Sequence, residues 1–310
     1  MFWRRCMDRN NLLLTGASGF LGAILKEKLN KQGNEIYGLG RDKQEVSADI
    51  TSSFVFPSDL KIDVVIHAAG KAHSVPKSSK EVREFYDVNF EGTKNICAAL
   101  EQIKQLPKAF IFISTVSVYG RDFGNLISEK HPLNGVTPYA QSKIMAEKWL
   151  TEWCGARGVK LSILRLPLVA GPNPPGNLGA MITGIRSGKY LSIGKADANK
   201  SIVWAEDITE IIPKLIELGG VYNLTDGYHP CFSELETRIS TSIGKRKPKK
   251  ISMWLARCLG FLGDLLGERF PLNSIKLKKI TSPLTFDDSK AVKELGWTPS
   301  RVLDKIAEII

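Results

Sequence analysis

Short apolar runs alternate with longer amphipathic stretches over the first half of the chain. The runs have the length of buried strands and cover residues 12–15, 35–39, 64–67, 110–114 and 161–166. Between them the apolar residues recur at helical spacing, most clearly over 82–103 and 139–153. The alternation predicts an α/β fold with a doubly wound parallel sheet that carries helices on both faces.

The pattern changes after residue 171. Residues 171–176 (GPNPPG) form a cluster of helix and strand breakers, and beyond them helices and short strands mix without a βα repeat. We therefore expect residues 1–171 to form the sheet domain, with contributions from later segments. Residues 172–310 are expected to form a smaller, mainly C-terminal substrate-binding region.

A glycine-rich run follows the first predicted strand directly and opens a helical stretch. Glycines at this place let the backbone turn tightly and approach a pyrophosphate, whose charge lies at the helix N-terminus. An ordinary turn is the alternative. The dinucleotide contacts predicted from this run are Gly16, Ser18, Gly19, Phe20, Leu21 and Gly22.

The residues after the second predicted strand bear on which dinucleotide binds. A strand tip that selects NAD usually carries an acid for the ribose hydroxyl, whereas this strand is followed by Arg41. Arg41 could pair with a 2′-phosphate, which favours NADP and leaves NAD possible; a surface arginine beside Asp42 is the alternative. Asp49 and Ile50 are predicted to contact adenine, although Asp49 could equally cap a turn.

Three small residues, Ala68, Ala69 and Gly70, end the third predicted strand and would allow close approach of the cofactor. Asn89, in the following helical stretch, is predicted near the same place, with a solvent-facing position as the alternative.

Candidate chemistry comes from Tyr139 and Lys143, which are four residues apart on a predicted helix and so share one face. A fixed ammonium stabilises a phenolate and brings the phenol into a useful acid and base range. Thr115, at the end of the preceding apolar strand, could hydrogen-bond the reacting oxygen. A solvated helix face and a strand-end cap are the alternatives for these residues.

The charge is strongly basic: 43 Lys and Arg residues against 32 Asp and Glu residues give +11. Between 238 and 280 there are eleven basic residues and two acidic ones, so most of the surplus lies there. Such charge suits a dinucleotide, a nucleotide-linked substrate, nucleic acid or anionic lipid. No recognition helix or zinc finger accompanies it, so we expect no nucleic-acid partner.

The basic run 245–250 (KRKPKK) precedes an apolar stretch, 251–266, that could make peripheral membrane contact through 245–266. The favoured alternative is a helical cover over the substrate pocket, because Arg257 and Asp264 interrupt the stretch. The five cysteines are widely spaced and suggest neither a metal site nor a disulfide framework. With no apolar run long enough for a signal peptide near the start, we expect a reduced, cytoplasmic protein.

Six motifs together resemble the extended short-chain dehydrogenase/reductase family, which includes nucleotide-sugar epimerases, dehydratases and 4-ketoreductases. In order they are TGASGFLG (15–22), DVVIHAAG (63–70), DVNFEGT (87–93), ISTVSVYG (113–120), YAQSK (139–143) and LRLPLVAGP (164–172). Residues 220–224 and 286–299 resemble later parts of the family pattern. The resemblance implies a Rossmann domain that binds NAD(P), with Thr115, Tyr139 and Lys143 at the catalytic positions and Ser114 and Pro167 beside the cofactor.

Departures from the family pattern narrow the expected reaction. Family dehydratases carry Asp-Glu after the catalytic threonine, whereas Val116 and Ser117 follow it here, so elimination is disfavoured. Leu168 stands where many epimerases have an asparagine. The resemblance further implies that substrate contacts come from Thr115, His73, Asn177, Arg186 and Lys200; His73 could instead be an exposed loop residue.

The leading hypothesis is therefore a nucleotide-sugar epimerase or 4-ketoreductase, with no metal, acting on a small molecule. A reductase of a non-sugar ketone, of hydroxysteroid or flavonoid type, and a dinucleotide sensor without catalysis are the alternatives. A homodimer is left open.

Overall fold

The computed structural model describes residues 10–72, 74–266 and 272–310. Its strands are β1 (Asn11–Thr15), β2 (Glu35–Gly40), β3 (Val46–Ser47), β4 (Val64–His67), β5 (Ala109–Thr115), β6 (Gly124–Ile127), β7 (Lys160–Leu166), β8 (Leu168–Ala170), β9 (Leu191–Ile193), β10 (Ile202–Trp204), β11 (Gly220–Asn223), β12 (Lys249–Ile251) and β13 (Leu284–Phe286).

The helices are α1 (Phe20–Lys31), α2 (Ser79–Tyr86), α3 (Gly92–Leu100), α4 (Pro138–Arg157), α5 (Gly176–Arg186), α6 (Ile212–Leu218), α7 (Phe232–Ser242), α8 (Met253–Leu266), α9 (Ser274–Thr281), α10 (Ser289–Leu295) and α11 (Ile306–Ile309). Short 3-10 segments cover Val116–Tyr119, Glu206–Ile211 and Val302–Lys305. No helix within the described ranges is long and apolar enough to cross a membrane.

Seven parallel strands form the main sheet in the order β11-β7-β5-β4-β1-β2-β3. The central strands β4 and β5 are buried along their whole length, because helices cover both faces of the sheet. One core cluster lies between the sheet and α3 and α4, and the other lies beneath α1, α6 and α10. The predicted doubly wound α/β fold is confirmed.

The predicted helical stretch 82–103 corresponds to continuous helix over 79–100, with a change of helix type in its middle. A π-helical segment, Asp87–Glu91, joins α2 to α3 and contains the buried Asn89. Single-turn π segments inside α-helices occur often at functional sites, because they redirect a side chain. Here the segment aims Asn89 at the strand ends.

The chain beyond residue 171 contributes both to the main sheet and to a smaller region with its own core. β11 joins the main sheet beside β7, and Trp297 packs into the core beneath α1. The rest forms a smaller region with its own core of α5, α7, β10 and α11, accompanied by short two-stranded pairings of β8 with β10, β9 with β12 and β6 with β13. The boundary at 171 between cofactor and substrate regions stays a prediction.

Candidate active site

The glycine-rich run forms a tight turn between β1 and α1. Gly16 has a φ of +70°, and a Cβ there would lie 2.7 Å from the backbone nitrogen of Ala69. At Gly22, on the first turn of α1, a Cβ would lie 2.0 Å from the Gly16 carbonyl oxygen. Side chains are therefore excluded at both positions, and the backbone of the turn stays open to a ligand.

The N-terminus of α1 suits an anion. Gly19 caps the helix without any side-chain hydrogen bond, and the first turn contains no acidic residue. Ser18 and Gly19 are exposed, while Phe20 and Leu21 are half-buried. Unsatisfied N–H groups and the helix dipole favour a phosphate here, so the cradle fits the pyrophosphate of a dinucleotide.

The segment after β2 contains Arg41, Asp49 and Ile50, the predicted contacts to the adenosine part of the cofactor. Arg41 is exposed, and its charge helps to lower the pKa of Asp49, although hydrogen bonds from Thr51 are the larger cause. Asp49 accepts from the backbone N–H and the hydroxyl of Thr51 at 2.9 and 2.8 Å, as a turn residue does. Ile50 packs against Gly92 of α3.

Two residues at the tip of β2 had no sequence signal. Glu45 accepts from the Gly38 backbone N–H at 2.8 Å and pairs with Lys26 of α1 at 2.7 Å. Gln44 lies against Gly38 and Gly40, and among the described residues its buried side-chain oxygen has no hydrogen-bond partner. An acid and an amide therefore pack against β2 near the strand end, the region in which a dinucleotide fold reads the adenosine ribose.

Asn89 connects the end of β4 to α4. Its side chain accepts from the Lys71 backbone N–H at 2.7 Å and donates to the Lys71 carbonyl at 3.1 Å and to Ser142 at 2.9 Å. Gly70 lies so close that a Cβ there would be 3.1 Å from the Asn89 side-chain oxygen and 3.3 Å from Lys143 Nζ. Ala68 and Ala69 lead into this contact, so the three small residues sit where the prediction places them.

The three predicted catalytic residues meet at the carboxyl end of β5. Thr115 ends the strand, and Tyr139 and Lys143 project from the first turns of α4, which Thr137 caps. Tyr139 is half-buried, and the Thr115 hydroxyl donates to the Ser117 hydroxyl at 3.2 Å. Lys143 is buried and donates to the Ile113 carbonyl at 2.8 Å.

At Tyr139 and at Lys143, burial and a neighbouring polar side chain shift the pKa in opposite directions. Burial raises the pKa of Tyr139, and the hydrogen bond from Thr115 acts against that rise. Burial lowers the pKa of Lys143 to about 8, while the Glu147 carboxylate one turn on acts against that fall. The side-chain nitrogen of Lys143 lies on the same side of α4 as the Tyr139 phenol.

A buried ion pair behind the site had no sequence signal. Glu147 and Arg165 pair at 2.7 Å with side chains only 4 % and 7 % exposed, and Ser114 donates its hydroxyl to the same carboxylate. Arg165 also donates to Tyr119 at 3.2 Å. The Ser114 hydroxyl is thus engaged within the protein, and its predicted contact with the cofactor stays a prediction.

A cavity of about 280 Å³ adjoins the strand ends. It is lined by Val116, Asp122, Pro167, Leu168, Asn177, Leu178, Met181, Lys200, Ser201, Ile202, Phe232, Leu235, Lys279, Ile280, Leu284 and Phe286. Two predicted substrate contacts, Asn177 and Lys200, lie in this lining, and Pro167 and Val116 connect it to Thr115. Lys200 donates to the carbonyls of Lys279 and Ser282 at 2.7 and 2.8 Å, and burial lowers its pKa to about 8.

Arg186 is not brought to this cavity. It is exposed at the C-terminal end of α5, whereas Asn177 lies at the N-terminal end of the same helix. Nine residues of helix separate the two by roughly 13 Å. The prediction for His73 falls outside the described residues.

Comparison with known proteins places this site in a family. The model of the NAD dependent epimerase/dehydratase family matches residues 12–225. N-acetyl-alpha-D-glucosaminyl-diphospho-ditrans,octacis-undecaprenol 4-epimerase of Escherichia coli O157:H7 is 30 % identical over 91 % of this chain and 88 % of its own length. UDP-glucose 4-epimerase of Vibrio cholerae is 27 % identical over 95 % of this chain and 92 % of its own length.

Among solved structures, UDP-glucose 4-epimerase of Thermotoga maritima with UDP-glucose has the same fold, with a TM-score of 0.74 at 20 % identity over 96 % of both chains. The resemblance to extended short-chain dehydrogenases is thereby confirmed. The family match covers more than half of the chain, including the glycine cradle and Thr115, Tyr139 and Lys143, so this protein is an enzyme of the NAD dependent epimerase/dehydratase family.

Proposed function

We propose that this enzyme is a 4-epimerase of a sugar linked to its carrier through a diphosphate. The observation that carries the proposal is the meeting of Thr115, Tyr139 and Lys143 at the end of β5, between the glycine cradle and the cavity that contains Lys200. Two of the curated relatives that match over nine-tenths of the chain are 4-epimerases by name.

The proposed chemistry rests on proton transfer at the Tyr139 hydroxyl. Tyr139, as phenolate, takes the proton from the sugar hydroxyl and gives it back to the same oxygen after the carbon has been inverted. Thr115 would hold that oxygen by a hydrogen bond. Burial raises the pKa of Tyr139, and in this proposal the Lys143 ammonium offsets that rise and favours the phenolate. Bound NAD(P) supplies the acceptor and donor of the hydride from the carbinol carbon.

The same residues disfavour elimination. Val116 and Ser117 follow Thr115, so no carboxylate is available there to move the protons that loss of water requires. Epimerisation and 4-ketoreduction both remain compatible with Thr115 and Tyr139, and the names of the relatives favour epimerisation.

The carrier is proposed from the chemistry that the two curated relatives share. One acts on a sugar bound to undecaprenyl diphosphate and the other on a UDP-sugar, so the common group is a diphosphate. Lys200 and Asn177 in the cavity are the proposed diphosphate contacts, because the half-buried Lys200 ammonium is a charged donor suited to phosphate. Arg186 is not among them.

A second candidate is a reductase of a non-sugar ketone. Most of the cavity lining is apolar, including Leu168, Met181, Phe232 and Phe286, and such a lining suits a hydrocarbon ring system. The two candidates differ in whether a diphosphate is needed.

For the cofactor, we propose NADP on the strength of Arg41, with NAD as the alternative. The exposed Arg41 guanidinium can pair with a 2′-phosphate. The Glu45 carboxylate, which packs against Gly38 of β2, would repel such a phosphate. Arg41→Ala should weaken NADPH binding about tenfold and leave NADH binding unchanged, as measured by calorimetry. Equal losses for both would contradict this role.

We also propose a cytoplasmic enzyme, supported by free Cys97, Cys154, Cys231 and Cys258.

The deciding experiment supplies NAD or NADP with UDP-glucose, UDP-N-acetylglucosamine and a polyprenyl-diphosphate N-acetylglucosamine, and follows the C4 configuration by NMR. Appearance of the C4 epimer without net change of the cofactor supports the proposal. Net oxidation of NADPH with a 4-keto sugar would indicate a ketoreductase. Turnover confined to ketones that lack a diphosphate would support the second candidate.

The Tyr139→Phe variant tests the assignment of the residue. It should lose roughly a hundredfold to ten-thousandfold in turnover while it still binds the cofactor. Tyr228→Phe is the matched control, because Tyr228 hydrogen-bonds Glu234 and lies outside the cavity. Unchanged turnover in Tyr139→Phe would overturn the mechanism.

A further inference from the structure

The helix α8 presents its large apolar side chains outward. Its buried residues are the small Ala256, Gly260 and Gly263, and at Gly260 a Cβ would lie 3.4 Å from the Ser274 backbone nitrogen at the start of α9. The exposed apolar side chains of α8 are Trp254, Leu255, Phe261, Leu262, Leu265 and Leu266. Trp254, Leu265 and Phe261 are 75 %, 70 % and 62 % exposed, the reverse of a helix that buries its apolar face.

Few charged residues of α8 interrupt this apolar surface. Arg257 and Asp264 are the two charged residues of the helix, and Asp264 accepts from the Ser274 N–H at 3.1 Å. On α9, Ile275 adds a further apolar side chain that is 64 % exposed. Contiguous apolar surface of this kind is rare on a protein that works only in water, and it marks a site of interaction.

Dense positive charge adjoins α8 along the chain and on the neighbouring helix. Residues 245–250 contain five basic residues and lead through β12 into α8, and α9 carries Lys276, Lys278 and Lys279. A polybasic segment beside exposed tryptophan, phenylalanine and leucine is complementary to an anionic bilayer, whose headgroups attract the cations and whose acyl boundary takes the apolar side chains.

We propose that α8, α9 and the basic run 245–250 form a membrane-docking surface for an anionic phospholipid bilayer. A second copy of the chain is a poorer occupant. A two-fold contact through this face would bring two basic runs against each other, which costs electrostatic energy in a chain of net charge +11.

The docking surface is joined to the cavity of the active site. Lys279 and Ile280 of α9 line that cavity, and Lys200 donates to the Lys279 carbonyl. Docking would thus hold the cavity beside the lipid headgroups, where a sugar diphosphate on a lipid carrier is presented. This consequence rests on the proposed function, whereas the docking itself does not.

The test is co-sedimentation of the full chain with vesicles. Vesicles of phosphatidylcholine mixed with phosphatidylglycerol should bind the protein, vesicles of phosphatidylcholine alone should bind it much more weakly, and added salt should release it. Trp254→Ser/Phe261→Ser and, separately, Lys245→Glu/Arg246→Glu should each lower binding at least tenfold. Val55→Ser/Leu218→Ser removes exposed apolar side chains elsewhere and should bind like wild type.

Two further readouts separate the possible failures. The surface variants should keep cofactor binding and thermal stability, which shows that they are folded. Wild type that ignores anionic vesicles would overturn the proposal, as would a wild-type dimer in light scattering that Trp254→Ser/Phe261→Ser converts to a monomer. Vesicle binding without epimerisation of any diphosphate-linked sugar would refute the proposed function and leave the docking surface standing.

Discussion

Replacing Glu147 by glutamine would test the buried ion pair behind the active site. The Glu147 carboxylate accepts from Arg165 at 2.7, 3.2 and 3.3 Å and from the Ser114 hydroxyl, and both partners of the pair are buried. Removing one charge of such a pair leaves the other buried without compensation, which costs about 3 to 5 kcal/mol. Since domains are stable by about 5 to 15 kcal/mol, the loss should be large.

The same substitution should change the acid–base behaviour of the site. The Glu147 carboxylate raises the pKa of Lys143 against the effect of burial, which lowers it to about 8. Without that carboxylate the pKa of Lys143 falls further, so the ammonium loses its proton at a lower pH. The alkaline limb of the activity profile should therefore shift to lower pH in Glu147→Gln.

Urea unfolding followed by circular dichroism at neutral pH measures the first effect, and turnover against pH measures the second. Glu152→Gln is the matched control, because Glu152 is exposed on the same helix and its change should stay within about 0.5 kcal/mol. The double variant Glu147→Met/Arg165→Met should be more stable than Glu147→Gln, because no unpaired charge remains. A Glu147→Gln protein as stable as Glu152→Gln would refute the reasoning.

Two further predictions concern the cradle and the ammonium group. Gly22→Ala should cost about 1 to 3 kcal/mol and weaken binding of the dinucleotide, because the new Cβ would meet the Gly16 carbonyl oxygen; unfolding and calorimetry measure both. Gly155→Ala, in an open part of α4, should instead stabilise by about 0.5 to 1 kcal/mol, and equal effects would contradict the packing argument. Lys143→Arg keeps its charge above pH 8, whereas the pKa of Lys143 is about 8. If loss of the Lys143 proton sets the alkaline limb of the activity–pH profile, that limb should move to higher pH in the variant. A limb that does not move would assign that ionisation to another group.

The sequence predicted those parts of the fold and site that depend on local pattern. The predicted strand 64–67 has the same bounds in the structure, 110–114 is one residue shorter than β5 at each end, and 161–166 is one residue shorter than β7 at its start. Fully apolar runs between helices specify buried parallel strands, because helices must cover both faces. The spacing of Tyr139 and Lys143 also sufficed, since four residues of helix place two side chains on one face.

Only the tertiary structure decided how distant segments meet. Glu147 and Arg165 lie on a helix and a strand, and nothing in the spacing of their neighbours indicates that each is the other's buried partner. Arg186 and Asn177 were both proposed as substrate contacts, and the structure places them at opposite ends of α5. Neither outcome follows from a one-dimensional pattern.

The exposed face of α8 shows most clearly what the sequence determined and what only the tertiary structure determined. The sequence showed a basic run followed by an apolar stretch and favoured a helix that packs over the substrate pocket. Gly260 packs against the start of α9, and Trp254 and Phe261 point outward, whereas α9 is the helix that lines the cavity. Local periodicity fixes which residues share a helix face, but which face is buried depends on the shape of the partner element.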